Sequence, residues 1–295
     1  MRKIYSLSLS EVKRLIQEQF PQWATLEIVP VVQSGWDNRT FRLGNELLIR
    51  MPSAQKYANQ VEKEQKWLPR LAPYLPLKIP TVVAKGAPGE GYPWSWSIYG
   101  WLEGEPVVVA AQLDLESIAY DLAVFLRALQ QIDATQGPAA GADNFYRGGA
   151  LSVYDEQVHH ALACLKDKTD TVIAHRIWVD ACASAWKHSP VWVHGDISRG
   201  NLLVQAGRLA AVIDFGQLAV GDPACDLAIA WTLFKGGSRT VFRRTLQLDD
   251  DTWLRGKAWA LWKTVIVAGG LVQSNAAEAL DSWQIIKEVL EDSKG

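Results

Sequence analysis

The spacing of apolar residues divides the chain into a β-rich first third and a mainly helical remainder. Apolar positions recur with helical spacing in residues 8–20 and again in residues 57–71. Between these segments, residues 25–52 alternate and are rich in β-forming residues, which predicts three antiparallel strands. Residues 77–106 return to a strand pattern around a Gly/Pro-rich loop at 86–93. The first third therefore predicts a small antiparallel sheet.

Helical periodicity dominates the rest of the chain. It covers residues 114–132, 151–187 and 251–292. The exception is residues 191–214, where two short apolar runs enclose a Gly turn and predict a β-hairpin. This order predicts an α+β fold with two lobes, a small β-rich lobe of residues 1–100 and a larger helical lobe of residues 101–295.

Composition and charge are those of an ordinary soluble globular protein, with 48% hydrophobic and 21% charged residues. The formal net charge of −2 argues against nucleic acid or an anionic membrane surface as a partner. No apolar run approaches the ~20 residues that a membrane span needs. Cys164, Cys182 and Cys225 form neither a CxxC pair nor a zinc pattern. Sparse, unpaired cysteines are typical of reduced thiols, so we expect a cytoplasmic protein.

The polar loop "HGDISRGN", residues 194–201, lies between the apolar runs "VWV" and "LLV". It carries Asp196 and, five residues later, Asn201. The predicted hairpin brings Asp214 of "IDFG" back beside Asn201. Carboxylate and amide oxygens of this kind suit Mg²⁺. Phosphoryl transfer needs such a set, with two ligands for Mg²⁺ on the nucleotide and a separate carboxylate for the attacking hydroxyl.

The motifs "HGDISRGN", "IDFG" and "GDPACDLA" together resemble the catalytic and metal-binding loops of the aminoglycoside phosphotransferase family. Each motif alone is more often turn chemistry, but their joint order is specific. The resemblance is strong over residues 191–230 and weaker before residue 100. It implies a protein-kinase-like fold, with the nucleotide bound by the β-rich lobe.

The resemblance also assigns roles to residues of the second lobe. It makes Asp196 the catalytic base and makes Asn201 and Asp214 the Mg²⁺ ligands. It further implies that His194 braces the loop and that Asp226 binds the loop backbone.

In the first lobe the resemblance places the turn over the nucleotide phosphates at "QSGWDNRTFRL", where Ser34 and Asn38 are the candidate hydrogen-bond donors to the phosphates. A plain hairpin turn is the alternative for this segment. The strand that carries a phosphate-contacting Lys in kinase-like proteins offers Arg50 instead. Glu64 on the following helix is its expected partner, with Glu62 second. An Arg can hold phosphate and carboxylate through its planar fork, although a surface Arg at a strand end is the alternative.

The predicted hinge "SIYGWLEGE" should supply backbone N–H and C=O groups to the purine, near residues 98–101. Tyr99 and Trp101 are therefore candidate nucleotide-binding residues. Backbone recognition leaves ATP and GTP equally open as phosphoryl donors.

These features predict a small-molecule kinase that transfers the γ-phosphoryl of ATP or GTP, with Mg²⁺, to a hydroxyl of an aminoglycoside or another antibiotic. A metabolic kinase for choline, homoserine or a sugar shares the same motifs, and a nucleotide-binding pseudokinase is a third alternative. A polycationic acceptor would need acidic residues. The candidates are Asp155, Glu156, Asp180 and residues 249–251. An apolar acceptor such as a macrolide could instead be walled by tryptophans. The candidates are Trp231, Trp253, Trp259 and Trp262.

Overall fold

The first third of the chain forms an antiparallel sheet in the computed structural model, which describes Tyr5 and residues 7–31 and 37–292. Within these residues five strands pair in the order β1-β2-β3-β5-β4. They are β1 Ile28–Pro30, β2 Asn38–Leu43, β3 Leu47–Pro52, β4 Val82–Gly86 and β5 Trp96–Gly100. The sheet agrees with the predicted small β-rich lobe. The candidate Ser34 lies outside the described residues.

One face of this sheet packs on the first helix, α1 Leu9–Gln19. Ser8 and Glu11 form a capping box that satisfies the first amides of α1. The apolar face of α1 then joins alternate strand residues in one core. The buried members of this core are Val12, Leu15, Ile16, Ile28, Phe41, Leu43, Ile49, Met51, Tyr92, Trp96 and Ile98.

A second helix, α2 Gln55–Leu71, connects the sheet with the rest of the molecule. Its residues Trp67, Leu68 and Leu71 are buried in the large core of the helical part. Glu64 on the same helix is also buried, at 4% exposure. Helix α2 therefore carries a carboxylate into the space between the sheet and the helical part.

The remaining helices build the larger part of the molecule. They are α3 Leu115–Gln131, α4 Asp155–Cys164, α5 Thr171–Cys182, α6 Ile229–Thr232, α7 Gly236–Leu246, α8 Asp250–Ala268 and α9 Ala276–Glu291. The helical periodicity did not predict α6 and α7. The mainly helical second part confirms the predicted fold class.

Short strands hold the polar loop of residues 194–201 inside the helical part. They are β6 Glu105–Pro106, β7 Val191–Val193, β8 Leu202–Gln205, β9 Arg208–Val212 and β10 Ala219–Gly221. Strands β8 and β9 form the predicted hairpin, whereas β7 pairs with β10. Strand β6, which follows the first sheet, pairs with β8. The boundary between lobes at residues 100 and 101 stays a prediction.

Within the described residues, none of the helices is both long and apolar enough to span a membrane. Cys164, Cys182 and Cys225 are free thiols, of which Cys225 is buried.

Candidate active site

One buried carboxylate holds the backbone of the loop between β7 and β8. Asp226, at 1% exposure, accepts the backbone N–H groups of His194 at 2.8 Å and of Gly195 at 2.7 Å. The buried imidazole of His194 bonds the carbonyl of Ile213 through Nε2 at 3.1 Å and accepts the N–H of Asp196 at Nδ1. Because both ring nitrogens are used within the backbone, His194 acts as a brace, as the resemblance predicted.

Asp196, Asn201 and Asp214 converge at the open end of the hairpin. The amide Nδ2 of Asn201 donates to the backbone carbonyl of Asp196 at 2.9 Å and to its Oδ2 at 3.2 Å. The N–H of Ile213 donates to the carbonyl of Asn201, and this bond fixes the position of the following residue, Asp214. Asp214 takes a left-handed backbone conformation, with φ 67°. Asp196 and Asn201 thus lie in direct contact, and the hairpin sets Asp214 beside them.

Arg50 joins the sheet to this loop through two carboxylates. Its Nη1 lies 3.1 Å from Oε1 of Glu64, and its Nη2 lies 2.8 Å from Oδ1 of Asp214. The hydroxyl of Tyr99 donates to Glu64 at 2.5 Å, and the N–H of Phe215 donates to Glu64 at 3.0 Å. Glu64 thus pairs with Arg50 and also accepts hydrogen bonds from two further residues, Tyr99 of β5 and Phe215 beyond the hairpin.

The neighbouring carboxylates determine the protonation states of Arg50 and Tyr99. Burial of the Arg50 guanidinium opposes its charge, but Asp214 and then Glu64 outweigh burial and raise the pKa of Arg50 above its ordinary value. Burial, and after it the charge of Glu64, raises the pKa of Tyr99. Tyr99 therefore remains a neutral hydrogen-bond donor, and Arg50 remains a cation.

A cleft of about 330 Å³ lies between the sheet and the hairpin. This volume is within the range of small-molecule sites. The sequence candidates that line it are Arg50, Tyr99, Trp101, Asn201 and Asp214. Glu64 lies behind Arg50, and Asp196 is reached through Asn201. Larger hollows of about 610 and 520 Å³ lie elsewhere, away from these carboxylates, and are more open.

The predicted hinge requires one correction. The N–H of Gly100 donates to Thr81 at 2.9 Å, and the N–H of Trp101 donates to Glu46 at 2.7 Å. Both amides are used within the protein because they extend the pairing of β5 with β4 and β3. They are not the free donors that the sequence suggested, and Leu102 is the next residue along the chain that lines the cleft.

The side-chain oxygens of Asn201 and Asp214 in the cleft fit a hard divalent cation. Among the described residues, none donates a hydrogen bond to Oδ1 of Asn201 or to Oδ2 of Asp214. The same residues contain no group of three or more His, Cys, Asp or Glu that could hold a metal by themselves. A pair of oxygen ligands is what Mg²⁺ uses when substrate phosphates and water complete its shell. The residues present therefore fit Mg²⁺ bound together with a nucleotide.

Two cations near Asp196 were not identified from the sequence. Nζ of Lys263 on α8 lies 3.1 Å from Oδ1 of Asp196, and the guanidinium of Arg147 is also close enough to act on it. Burial opposes ionisation of Asp196, but Lys263 and then Arg147 outweigh it and lower the pKa of Asp196. A single charge within the apolar run "WALWKTVI" was the available signal for Lys263.

Asp37 is a third carboxylate of the cleft that the sequence did not single out. It lies directly before β2 and lines the cleft with Asp214. Burial first, and then the charge of Asp214, raises the pKa of Asp37 to about 6, although Arg50 partly opposes this. Its position within the predicted phosphate turn was the only sequence signal.

Among the acidic residues proposed for a polycationic acceptor, Asp155 and residues 249–251 are engaged in local structure. Asp155 accepts Nε1 of Trp178 at 2.8 Å, and Asp249 caps α8. Asp250 and Asp251 form surface ion pairs. Glu156 and Asp180 are exposed on α4 and α5. The four candidate tryptophans of the helical part are each at most 7% exposed, so they belong to the core.

The family model of the phosphotransferase enzyme family matches residues 28–259. The chain belongs to this family. That span includes the sheet, α2, the loop of residues 194–201 and the first half of α8. It contains every site residue predicted from the sequence, whereas Lys263 lies beyond it.

The individual relatives share low sequence identity with this chain. The aminoglycoside 3′-phosphotransferase of Escherichia coli is 30% identical over 141 residues, which is 45% of this chain and 49% of the relative. The chain thus spans about half the length of the curated relatives it matches. The GDP and kanamycin complex of APH(2″)-IIIa superposes with a TM-score of 0.71 at 17% identity, over 95% of this chain and 98% of that one. Macrolide 2′-phosphotransferase of Brachybacterium faecium, without ligand, gives 0.62 at 18% identity, over 94% and 97%. These likenesses establish the kinase-like fold.

Proposed function

We propose that this protein is a small-molecule kinase that transfers the γ-phosphoryl group of ATP or GTP to a hydroxyl group. The observation that carries the proposal is the contact of Asn201 with Asp196 at the edge of a cleft that also holds Asp214. A base carboxylate and two oxygen ligands, adjacent but distinct, are the parts that phosphoryl transfer requires.

Each residue then has a stated part. The amide of Asn201 holds one oxygen of Asp196, so that the carboxylate keeps a fixed orientation toward the acceptor. The lowered pKa keeps Asp196 ionised and ready to accept the hydroxyl proton. Arg50, which stands where kinase-like proteins carry a Lys, holds Asp214 and presents its guanidinium to the phosphates. Mg²⁺ on Asn201 and Asp214 would neutralise phosphate charge.

The acceptor belongs to the proposal as well. One curated relative carries the name aminoglycoside 3′-phosphotransferase, and one structural relative is a macrolide 2′-phosphotransferase. We therefore propose an antibiotic hydroxyl, of an aminoglycoside or another class, as the acceptor. A kinase for choline, homoserine or a sugar would use the same loop, so these alcohols belong in the test panel. A cytoplasmic location stays a prediction.

The test is transfer of labelled phosphate from ATP and GTP to a panel of antibiotics and small alcohols with Mg²⁺. Asp196→Asn should lower turnover by about 10²–10⁴-fold, the usual contribution of a general base, and leave nucleotide affinity unchanged. Asp167→Asn, which removes an exposed carboxylate in the turn after α4, is the matched control. Normal turnover by Asp196→Asn would show that Asp196 is not the base. Absence of Mg²⁺-dependent nucleotide binding would exclude a kinase altogether.

A further inference from the structure

Both oxygens of the Asp196 carboxylate are occupied by groups of the protein itself. Asn201 bonds Oδ2 at 3.2 Å, and the ammonium group of Lys263 lies 3.1 Å from Oδ1. A base that is to accept a proton from a hydroxyl needs one oxygen within hydrogen-bond reach of it. Lys263 therefore stands where the hydroxyl of an acceptor, or a water molecule, would have to be.

The backbone of Lys263 is fixed, while its side chain is free to move. Its neighbours Trp262 and Thr264 are buried, at 7% and 4% exposure. Trp262 stacks on Tyr154 with ring centroids 4.0 Å apart and donates to Gln157. The Lys263 side chain itself is 26% exposed, and its stem of four carbons can swing without disturbing α8.

We infer that Lys263 is a positioning residue whose ammonium group occupies Oδ1 of Asp196 until an acceptor binds. The inference rests on the proposed kinase function. In the absence of an acceptor, the ammonium group holds Oδ1 and keeps water from it. An acceptor that binds in the site displaces the ammonium and presents its own hydroxyl to Asp196. The contact thus suppresses hydrolysis of the nucleotide while the acceptor site is empty.

The reaction that Lys263 suppresses is hydrolysis. The oxygen of water forms a bond with the γ-phosphorus, and the bond from that phosphorus to the β–γ bridging oxygen breaks. The proton released by the water passes to Oδ1 of Asp196, and nucleoside diphosphate and inorganic phosphate leave. Water needs the same carboxylate oxygen as an acceptor hydroxyl, so one ammonium group controls access for both.

The experiment measures phosphate release from Mg²⁺-ATP and Mg²⁺-GTP without any acceptor. Lys263→Met keeps the stem and removes the charge, and it should raise hydrolysis about tenfold, as expected for loss of one charge-assisted hydrogen bond. Lys263→Arg should restore the low wild-type rate. The exposed Lys287→Met is the matched control and should leave the rate unchanged. The double variant Lys263→Met/Asp196→Asn should lose the increase, because the base is gone.

An equal or lower rate for Lys263→Met would overturn the inference, since a group that merely stabilises the fold or the phosphates can only lower hydrolysis when removed. A rise that persists in the double variant would overturn it too, because the water would then not be using Asp196. Nucleotide affinity, measured by calorimetry on the same proteins, separates this outcome from failure of the proposed function. Proteins that bind Mg²⁺-nucleotide but show no rise refute the role of Lys263 alone.

Discussion

Replacement of Asp37 by asparagine should stabilise the nucleotide-free protein above about pH 6. The folded protein holds the Asp37 proton up to a pKa of about 6, whereas the ordinary value is 3.8. Between these two values the folded state binds more protons than the unfolded state, so stability falls as pH rises through this window. Above about pH 6 the charged Asp37 carboxylate faces Asp214 within the cleft, and the resulting loss of stability is complete. Asparagine has nearly the same shape and no charge to lose.

The magnitude follows from the two pKa values. A separation of 3.8 and about 6 corresponds to about 3 kcal/mol at 1.36 kcal/mol per pKa unit. Asp37 is only partly buried, so solvent screening makes about 1–3 kcal/mol the expected gain. The assay is urea denaturation of Asp37→Asn and wild type at about pH 8 and about pH 4, where the gain should be large and small respectively.

Asp180→Asn is the matched control for this prediction, because Asp180 is exposed on α5. Its unfolding free energy should stay within about 0.5 kcal/mol of wild type at both pH values. A gain for Asp37→Asn that is equal at both pH values would trace to packing and not to charge. A loss of stability near pH 8 would refute the electrostatic reasoning.

Three further substitutions probe how the site is held. Arg50→Met should lower the unfolding free energy by about 3–5 kcal/mol in urea denaturation, because it leaves two carboxylates without their buried partner, and a loss below about 1 kcal/mol would contradict this. Asp226→Ala should cost about 2–5 kcal/mol in the same assay, since two buried N–H groups lose their acceptor, and unchanged stability would show that water replaces it. Gly221→Ala should cost more than about 2 kcal/mol, because its Cβ would lie 2.1 Å from the carbonyl oxygen of Gly148, and Gly141→Ala, with open space around it, should cost far less.

The grouping of Asp196, Asn201 and Asp214 could be predicted because these residues are close in sequence. Asp196 and Asn201 are five positions apart, and a hairpin of short alternating strands returns the chain to Asp214. Helix α7 was missed because its segment starts with two glycines and carries three arginines, which obscure the few apolar residues of its buried face.

Contacts between distant segments could not be predicted. Lys263 lies 67 residues from Asp196, and its approach depends on how α8 crosses the loop. Arg50 was a candidate from its strand position, but its second partner Asp214, 164 residues away, follows only from the packing of the sheet on the hairpin. The hinge amides were mistaken for free donors because sequence alone does not show which neighbouring strand uses them.

The carboxylate of Glu64 has a consequence for how the protein folds. It accepts hydrogen bonds from Arg50 of β3, from Tyr99 of β5 and from the N–H of Phe215, which lies beyond the hairpin and 151 residues along the chain. Contacts of such sequence separation are slow to form, because chain closure must precede them. The cleft between the sheet and the hairpin is therefore complete only after both halves have docked. Recovery of nucleotide binding during refolding should follow the final docking step, and a fragment that ends before the hairpin should lack the cleft however well its sheet is formed.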